Sequence, residues 1–196
     1  MPAFERELFF STAEGDDANL SIIKLSAHTG THVDAPGHFL HDAYQTGIGV
    51  ESLSLDMLNG LALLVEIPPD TNITADALQA LHIPEGTRRL LFKTTSSERD
   101  LLFKPAFDPS YTAMDKEGAE WLVGHTDVQL VGIDYVSIAV FEDQTGPHRV
   151  LLGEGIIPVE GLYFKGVEPG FYNLHCLPLK LIASDGAPAR CVLTTL

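Results

Sequence analysis

Apolar residues along this chain recur in short runs, many alternating with polar ones, and runs of that kind predict strands. They fall at residues 21–25, 61–67, 89–94, 128–140, 149–152, 155–159, 172–183 and 190–196. Most are rich in Val, Ile, Leu and aromatic residues and are bounded by Gly, Pro or Asp. Pro178 has no N–H to give a neighbouring strand, so it divides the 172–183 run or sets part of it at a sheet edge. Two stretches read as helices. Thr74 can cap residues 75–81, and Asp115 can cap residues 116–123 before Gly124, because such side chains accept from unpaired N–H groups of a first turn. Trp121 and Leu122 then lie on the buried side, and a short helical turn is expected at 55–58. Segments 40–50, 96–112 and 141–148 read as loops, and long loops in a compact domain tend to carry function. The pattern is that of a mixed α/β, strand-rich protein.

With 196 residues, 45% of them hydrophobic, and no linker or repeat, a single domain over 1–196 is expected. The net charge of −15, with only 12 Lys and Arg scattered singly, supplies no basic face for nucleic acid or an anionic membrane. No apolar run approaches the roughly 18 residues that a membrane span needs. The opening residues, MPAFERELFF, lack a basic stretch followed by an apolar one, so no leader is expected. Cys176 and Cys191 lie in apolar strand-like sequence and are expected to be buried free thiols, which fits a reducing, cytoplasmic setting.

Candidate chemistry concentrates in residues 28–38, where His28, His32 and His38 surround Asp34. Imidazole and carboxylate are standard ligands for zinc, manganese and iron. His28 and His32 are spaced as on a helix, but Gly30, Pro36 and the β-branched Thr29, Thr31 and Val33 favour an extended chain. Residues two apart then share a face, so His32 and Asp34 project together. A turn at Gly30 brings His28 back to them, and Pro36-Gly37 can turn His38 toward the same centre. Three protein ligands with an open position describe a catalytic rather than a structural metal site. His41 is expected in solvent; His82, His125 and His175 stand alone. His148 and Glu160 form a second candidate pair if residues 149–159 make a strand, a turn and a strand, with Glu142, Asp143 and Glu154 competing for the role.

Residues 28–39, HTGTHVDAPGHF, closely resemble the signature of the cyclase family, which includes bacterial kynurenine formamidases and isatin hydrolases. The resemblance continues through residues 131–137 (VGID-x-x-S), 148–162 and 177–192. It implies the family's swivelling β/β/α domain and a site of one or two divalent ions, zinc or manganese. His28, His32 and Asp34 would be ligands, His148 and Glu160 would complete the second position, and His38 would be the acid–base residue. It also implies a small-molecule substrate and a homo-oligomer, dimer or tetramer, with the site near a subunit contact. Family members usually carry a longer segment before the first motif, and the aromatic-rich segment 96–111 has no counterpart that can be matched in the formamidases. The expected activity is metal-dependent hydrolysis of an aryl formamide or cyclic amide. Hydrolysis of a lactone or cyclic imide, or metal binding without turnover, are the alternatives. No G-x-S-x-G elbow or catalytic cysteine motif offers a covalent nucleophile instead.

Overall fold

The computed structural model describes residues 4–196; residues 1–3, the start of the segment read for a leader, lie outside them. Nine strands are present among the described residues: β1 (Glu5–Phe10), β2 (Leu20–Lys24), β3 (His32–Asp34), β4 (Asn59–Glu66), β5 (Arg89–Lys93), β6 (Leu130–Ile133), β7 (Ile157–Glu160), β8 (Gly170–Pro178) and β9 (Gly186–Thr194). The helices are α1 (His41–Gln45), α2 (Leu55–Leu58), α3 (Ala75–Ala80), α4 (Thr95–Glu98), α5 (Lys116–His125) and α6 (Gly146–Gly153).

Seven strands close into a barrel in the order β3-β7-β6-β5-β4-β8-β9, while β1 and β2 form a separate ribbon. Strands β4 to β7 run parallel. Parallel neighbours need crossover connections, and α3, α5 and α6 lie within those connections. The central strands β5, β6 and β7 are buried at every residue, which is why they read as continuous apolar runs without alternation. Neighbouring side chains on a strand point to opposite faces. Leu90 and Phe92 therefore pack into the cluster that contains Leu78, Leu122 and Leu151 of the helices. Leu91 packs into the other, with Val33, Leu64, Val159 and Leu174. The expected strand-rich α/β class holds.

Both capped helices form. Thr74 accepts from the Ala77 N–H at 3.1 Å and Asp115 from the Gly118 N–H at 2.7 Å. The second runs through Gly124 to His125, with Leu122 fully buried and Trp121 partly buried against the same core. The turn at 55–58 is α2, and β8 ends at Pro178.

Three expectations are corrected. Residues 149–152 lie in α6, not in a strand: Pro147 starts the helix, and His148, Leu151 and Leu152 recur at helical spacing on its buried side. The 128–140 run is strand only over Leu130–Ile133. It breaks at the fully buried Asp134, whose carboxylate accepts from the backbone N–H groups of Thr94, at 3.0 Å, and Ser97, at 3.0 Å. Finally, Cys176 and Cys191 are not free thiols. They are register partners across β8 and β9, with Cα atoms 4.1 Å apart, and they pair as a disulfide. Two runs read separately do not reveal their register, which is what aims these side chains at each other. The cysteines therefore lend no support to a cytoplasmic setting. No helix among the described residues is long and apolar enough to cross a membrane.

Candidate metal centre

The first motif folds as its residue types dictate. Gly30 takes φ +69°, closed to most side chains, and turns the chain back before β3. Strand β3 pairs with β7 on one side and β9 on the other, so His32 and Asp34 project together into the closed barrel's rim. Pro36–His38 forms a single 3₁₀ turn that swings His38 back toward His28, and the two rings stack with centroids 3.8 Å apart.

His148 and Glu160 arrive by a different route. His148 sits in the first turn of α6 and Glu160 ends β7, directly across from His32. The expected pair does meet, His148 Nε2 lying 3.0 Å from Glu160 Oε1, although a helix followed by a strand, not a hairpin, brings it together. Glu160 Oε1 also accepts from the Ile138 N–H at 2.7 Å. The competitors are elsewhere: Asp143 accepts from the Gly146 N–H at 2.8 Å, and Glu142 and Glu154 are exposed.

Donor atoms of His28, His32 and Asp34, and of Asp34, His148 and Glu160, each lie within 4.8 Å of one another, and Asp34 belongs to both groups. The ring orientations suit a cation. His32 Nδ1 lies 2.9 Å from the Gly30 carbonyl and His148 Nδ1 lies 2.7 Å from the Gln144 carbonyl. Each Nδ1–H therefore donates to a carbonyl, which leaves the Nε2 lone pair aimed inward, as backing groups do for metal-bound histidines. Asp34 is fully buried, and its Oδ2 has no close hydrogen-bond partner, His148 Nε2 lying 3.5 Å away. An orphaned carboxylate oxygen of that kind costs several kcal/mol unless positive charge meets it, so the residues present fit a divalent cation (about 1–3 kcal/mol for a neutral group, more for a charged one).

The electrostatics carry the same message. Two carboxylates, Asp34 and Glu160, are held in the ionised form despite burial, which opposes it, by hydrogen bonds from the surrounding imidazoles. Burial also opposes charge on His148 and His28, but the carboxylates of Asp34 and their neighbours outweigh it, raising His148 to about 10 and His28 to about 9. His38 goes the other way. Burial pushes its pKa below the ordinary imidazole value, and the Asp34 carboxylate only partly offsets this. His38 is thus the neutral ring beside a charged cluster.

The cluster opens into a cavity of about 440 Å³ whose walls include Phe39, Phe107, Tyr111 and Phe141, with Ser137 and Gln144 as polar members. Segment 96–111, unmatched in the sequence, supplies two of those aromatic rings, Phe107 and Tyr111. Phe103 instead packs on Tyr163, and Tyr44 is exposed. His41 is exposed as expected, and His82, His125 and His175 lie outside the cluster. One residue passed over in the sequence belongs here: Asp185, whose Oδ2 lies 2.9 Å from His28 Nε2. It stands alone in a polar turn, and only the pairing of β9 with β3 carries it to the motif.

The closed, strand-rich barrel thus carries a histidine–carboxylate cluster, with donor atoms close enough together to hold a metal ion, beside an aromatic-lined cavity. The chain belongs to the cyclase family: residues 1–140 match the family described as "Putative cyclase". It is 52% identical over 184 residues to "Cyclase-like protein 1" of Arabidopsis thaliana, covering 93% of this chain and 72% of that one. It is 35% identical over 181 residues to "Kynurenine formamidase" of Salinibacter ruber, covering 89% of this chain and 79% of that one. Among solved structures, a "predicted metal-dependent hydrolase" from Bacillus stearothermophilus superposes with TM-score 0.78 at 31% identity, covering 97% of this chain and 86% of that one.

Proposed function

We propose that this protein is a metal-dependent hydrolase of an aryl formamide or a cyclic aromatic amide. The observation that carries the reading is the shared position of Asp34, a buried carboxylate with one oxygen unpartnered, between His28 and His32 on one side and His148 and Glu160 on the other. These five residues would hold zinc or manganese, one ion or two. A bound divalent cation lowers the pKa of water toward 7 and polarises a carbonyl.

The remaining work belongs to the chain. His38, neutral at pH 7, accepts a proton from the attacking water as the new C–O bond forms. It returns that proton to the amide nitrogen as the C–N bond breaks. Phe107, Phe141 and Tyr111 offer flat apolar surface for an aromatic ring and keep bulk water from the reacting carbonyl. Ser137 Oγ donates to Gln144 Oε1 at 2.9 Å, and Gln144 Nε2 donates to Tyr111 Oη at 2.7 Å, which fixes that wall.

A homo-oligomer is part of the same proposal. All residues of β1 and β2 are exposed, Phe9, Phe10, Ile22 and Ile23 among them. A two-stranded ribbon is marginal alone, and an apolar surface of this kind is supported by cover from a second copy.

The test is hydrolysis of a panel of N-formyl anilines, cyclic aromatic amides, cyclic imides and lactones by metal-loaded and chelator-stripped protein. Turnover of the first two, abolished by stripping and restored by zinc or manganese, is expected. Turnover confined to imides or lactones moves the substrate class, and metal binding with no turnover across the panel favours a binding protein.

A further inference from the structure

We infer that Asp185 is a positioning residue that fixes the ring orientation and tautomer of His28 and steadies His38 beside it; the inference rests on the metal-centre reading above. His28 lies between two carboxylates. Its Nδ1 is 2.9 Å from Asp34 Oδ1 and its Nε2 is 2.9 Å from Asp185 Oδ2. Carboxylates only accept, and a neutral imidazole has one N–H to give, so both contacts cannot be hydrogen bonds from a neutral ring. A ring protonated at both nitrogens can donate to both carboxylates in the metal-free protein, whereas a cation bound on the Asp34 side leaves the ring a single N–H to give. The lone pair of Nδ1 then faces the cation, and Nε2–H donates to Asp185. That is the carboxylate–histidine–metal relay by which an outer carboxylate orients a ligand and raises its basicity.

The same Asp185 oxygen lies 3.6 Å from His38 Nδ1, and the His28 and His38 rings stack within 24° of parallel. One carboxylate oxygen therefore faces a nitrogen of each ring, linking a ligand to the proposed acid–base residue.

The chain around Asp185 is held for this task. Its carbonyl accepts from the Ala35 N–H at 2.9 Å, next to Asp34, and the Ser184 carbonyl accepts from the Val50 N–H at 2.9 Å. The Ala183 N–H donates to Glu51 Oε1 at 3.0 Å, and Ser184 Oγ donates to the Gly186 carbonyl at 2.7 Å. Gly186 completes the arrangement, because a Cβ there would lie 2.7 Å from His28 Cε1. The aspartate aims the ring and the glycine makes room for it.

The experiment measures zinc affinity of stripped protein by competition with a chromophoric chelator, for the native chain, Asp185→Asn, Asp185→Ala, Asp185→Glu and Gly186→Ala. Melting of each metal-free protein is followed alongside. Asp185 is partly exposed, so the metal-free Asp185 variants are expected to melt close to the native chain, whereas Gly186→Ala, whose Cβ would also lie 2.9 Å from the Val33 carbonyl oxygen, is expected to melt lower. Zinc affinity should fall roughly 10–100-fold in Asp185→Asn and at least as far in Asp185→Ala. Asp185→Glu should recover part of it, and Gly186→Ala should lose affinity by displacing the ring. With a hydrolysed substrate, kcat should fall while KM holds. Native affinity in both Asp185→Asn and Asp185→Ala overturns the inference, as does a loss in Asp185→Glu equal to that in Asp185→Ala with lowered metal-free melting. Zinc refused by the native chain overturns the metal-centre reading itself.

Discussion

His32 and Glu160 are register partners across β3 and β7, and their side chains meet with Nε2 3.3 Å from Oε2. That pairing joins the motif near the chain's start to a glutamate far along it, and makes one centre of two sequence segments. Strand register, not proximity in sequence, assembles the site.

The neutral His38 beside that centre sets the first prediction. It contributes to the His28–Asp185 cluster but not to the Asp34–His148–Glu160 cluster. His38→Ala should therefore keep its metal and lose about 10²–10⁴ in kcat. Steady-state rates with elemental analysis check this; unchanged turnover removes His38 from the chemistry.

Protons and metal compete for the same charges. In the metal-free protein His28 is raised to about 9 and His148 to about 10 by carboxylates that outweigh burial. A folded pKa above the unfolded one gives stability that is complete below the ordinary value near 6.5 and lost as pH rises through the folded values. Melting of chelator-stripped protein should thus fall from pH 6.5 to 10, and zinc should restore it at the alkaline end. A stripped protein whose melting is level or rising over that range contradicts the charge assignment.

Asp134 tests the architecture rather than the chemistry. Burial pushes its carboxyl up, yet hydrogen bonds from Ser97 and Thr94 oppose this and pin the β6 turn to α4. Asp134→Ala leaves two buried N–H groups without partners and should cost about 3 kcal/mol. In a chain of this size that lowers the melting temperature by roughly 6–12 °C. A shift within experimental error would mean that water replaces the carboxylate.

The exposed ribbon predicts assembly. Phe9→Asp combined with Ile23→Lys alters side chains that pack in neither core cluster, so the fold should survive. Light scattering should give a dimer or tetramer for the native chain and the 21.3 kDa monomer for the variant. A variant that keeps the native mass assigns the contact to another surface.

Much of this was legible in residues 28–38. The β-branched residues around Gly30 forbid a helix there, and alternation alone sends His32 and Asp34 to one side. The capped helices were legible for a similar reason, since Thr74 and Asp115 act within one turn. What could not be read depends on register. Asp185 reaches His28 only because Gly186 pairs with Asp34, and Cys176 meets Cys191 only because β8 and β9 align them. Residues 149–152 misled because three apolar residues after Arg149 fit a strand as well as a helix; the helical period appears only when Pro147 and His148 are included.

The central claim is that His28, His32, Asp34, His148 and Glu160 converge on a divalent cation through the shared carboxylate of Asp34. Metal content per chain, by elemental analysis of native protein and Asp34→Ala purified in parallel with zinc and manganese supplied, tests it most directly. The native chain should carry at least about one equivalent and a folded Asp34→Ala almost none, because Asp34 belongs to both donor groups and its loss takes a ligand from each. Equal metal in both proteins, or none in either, would contradict the account.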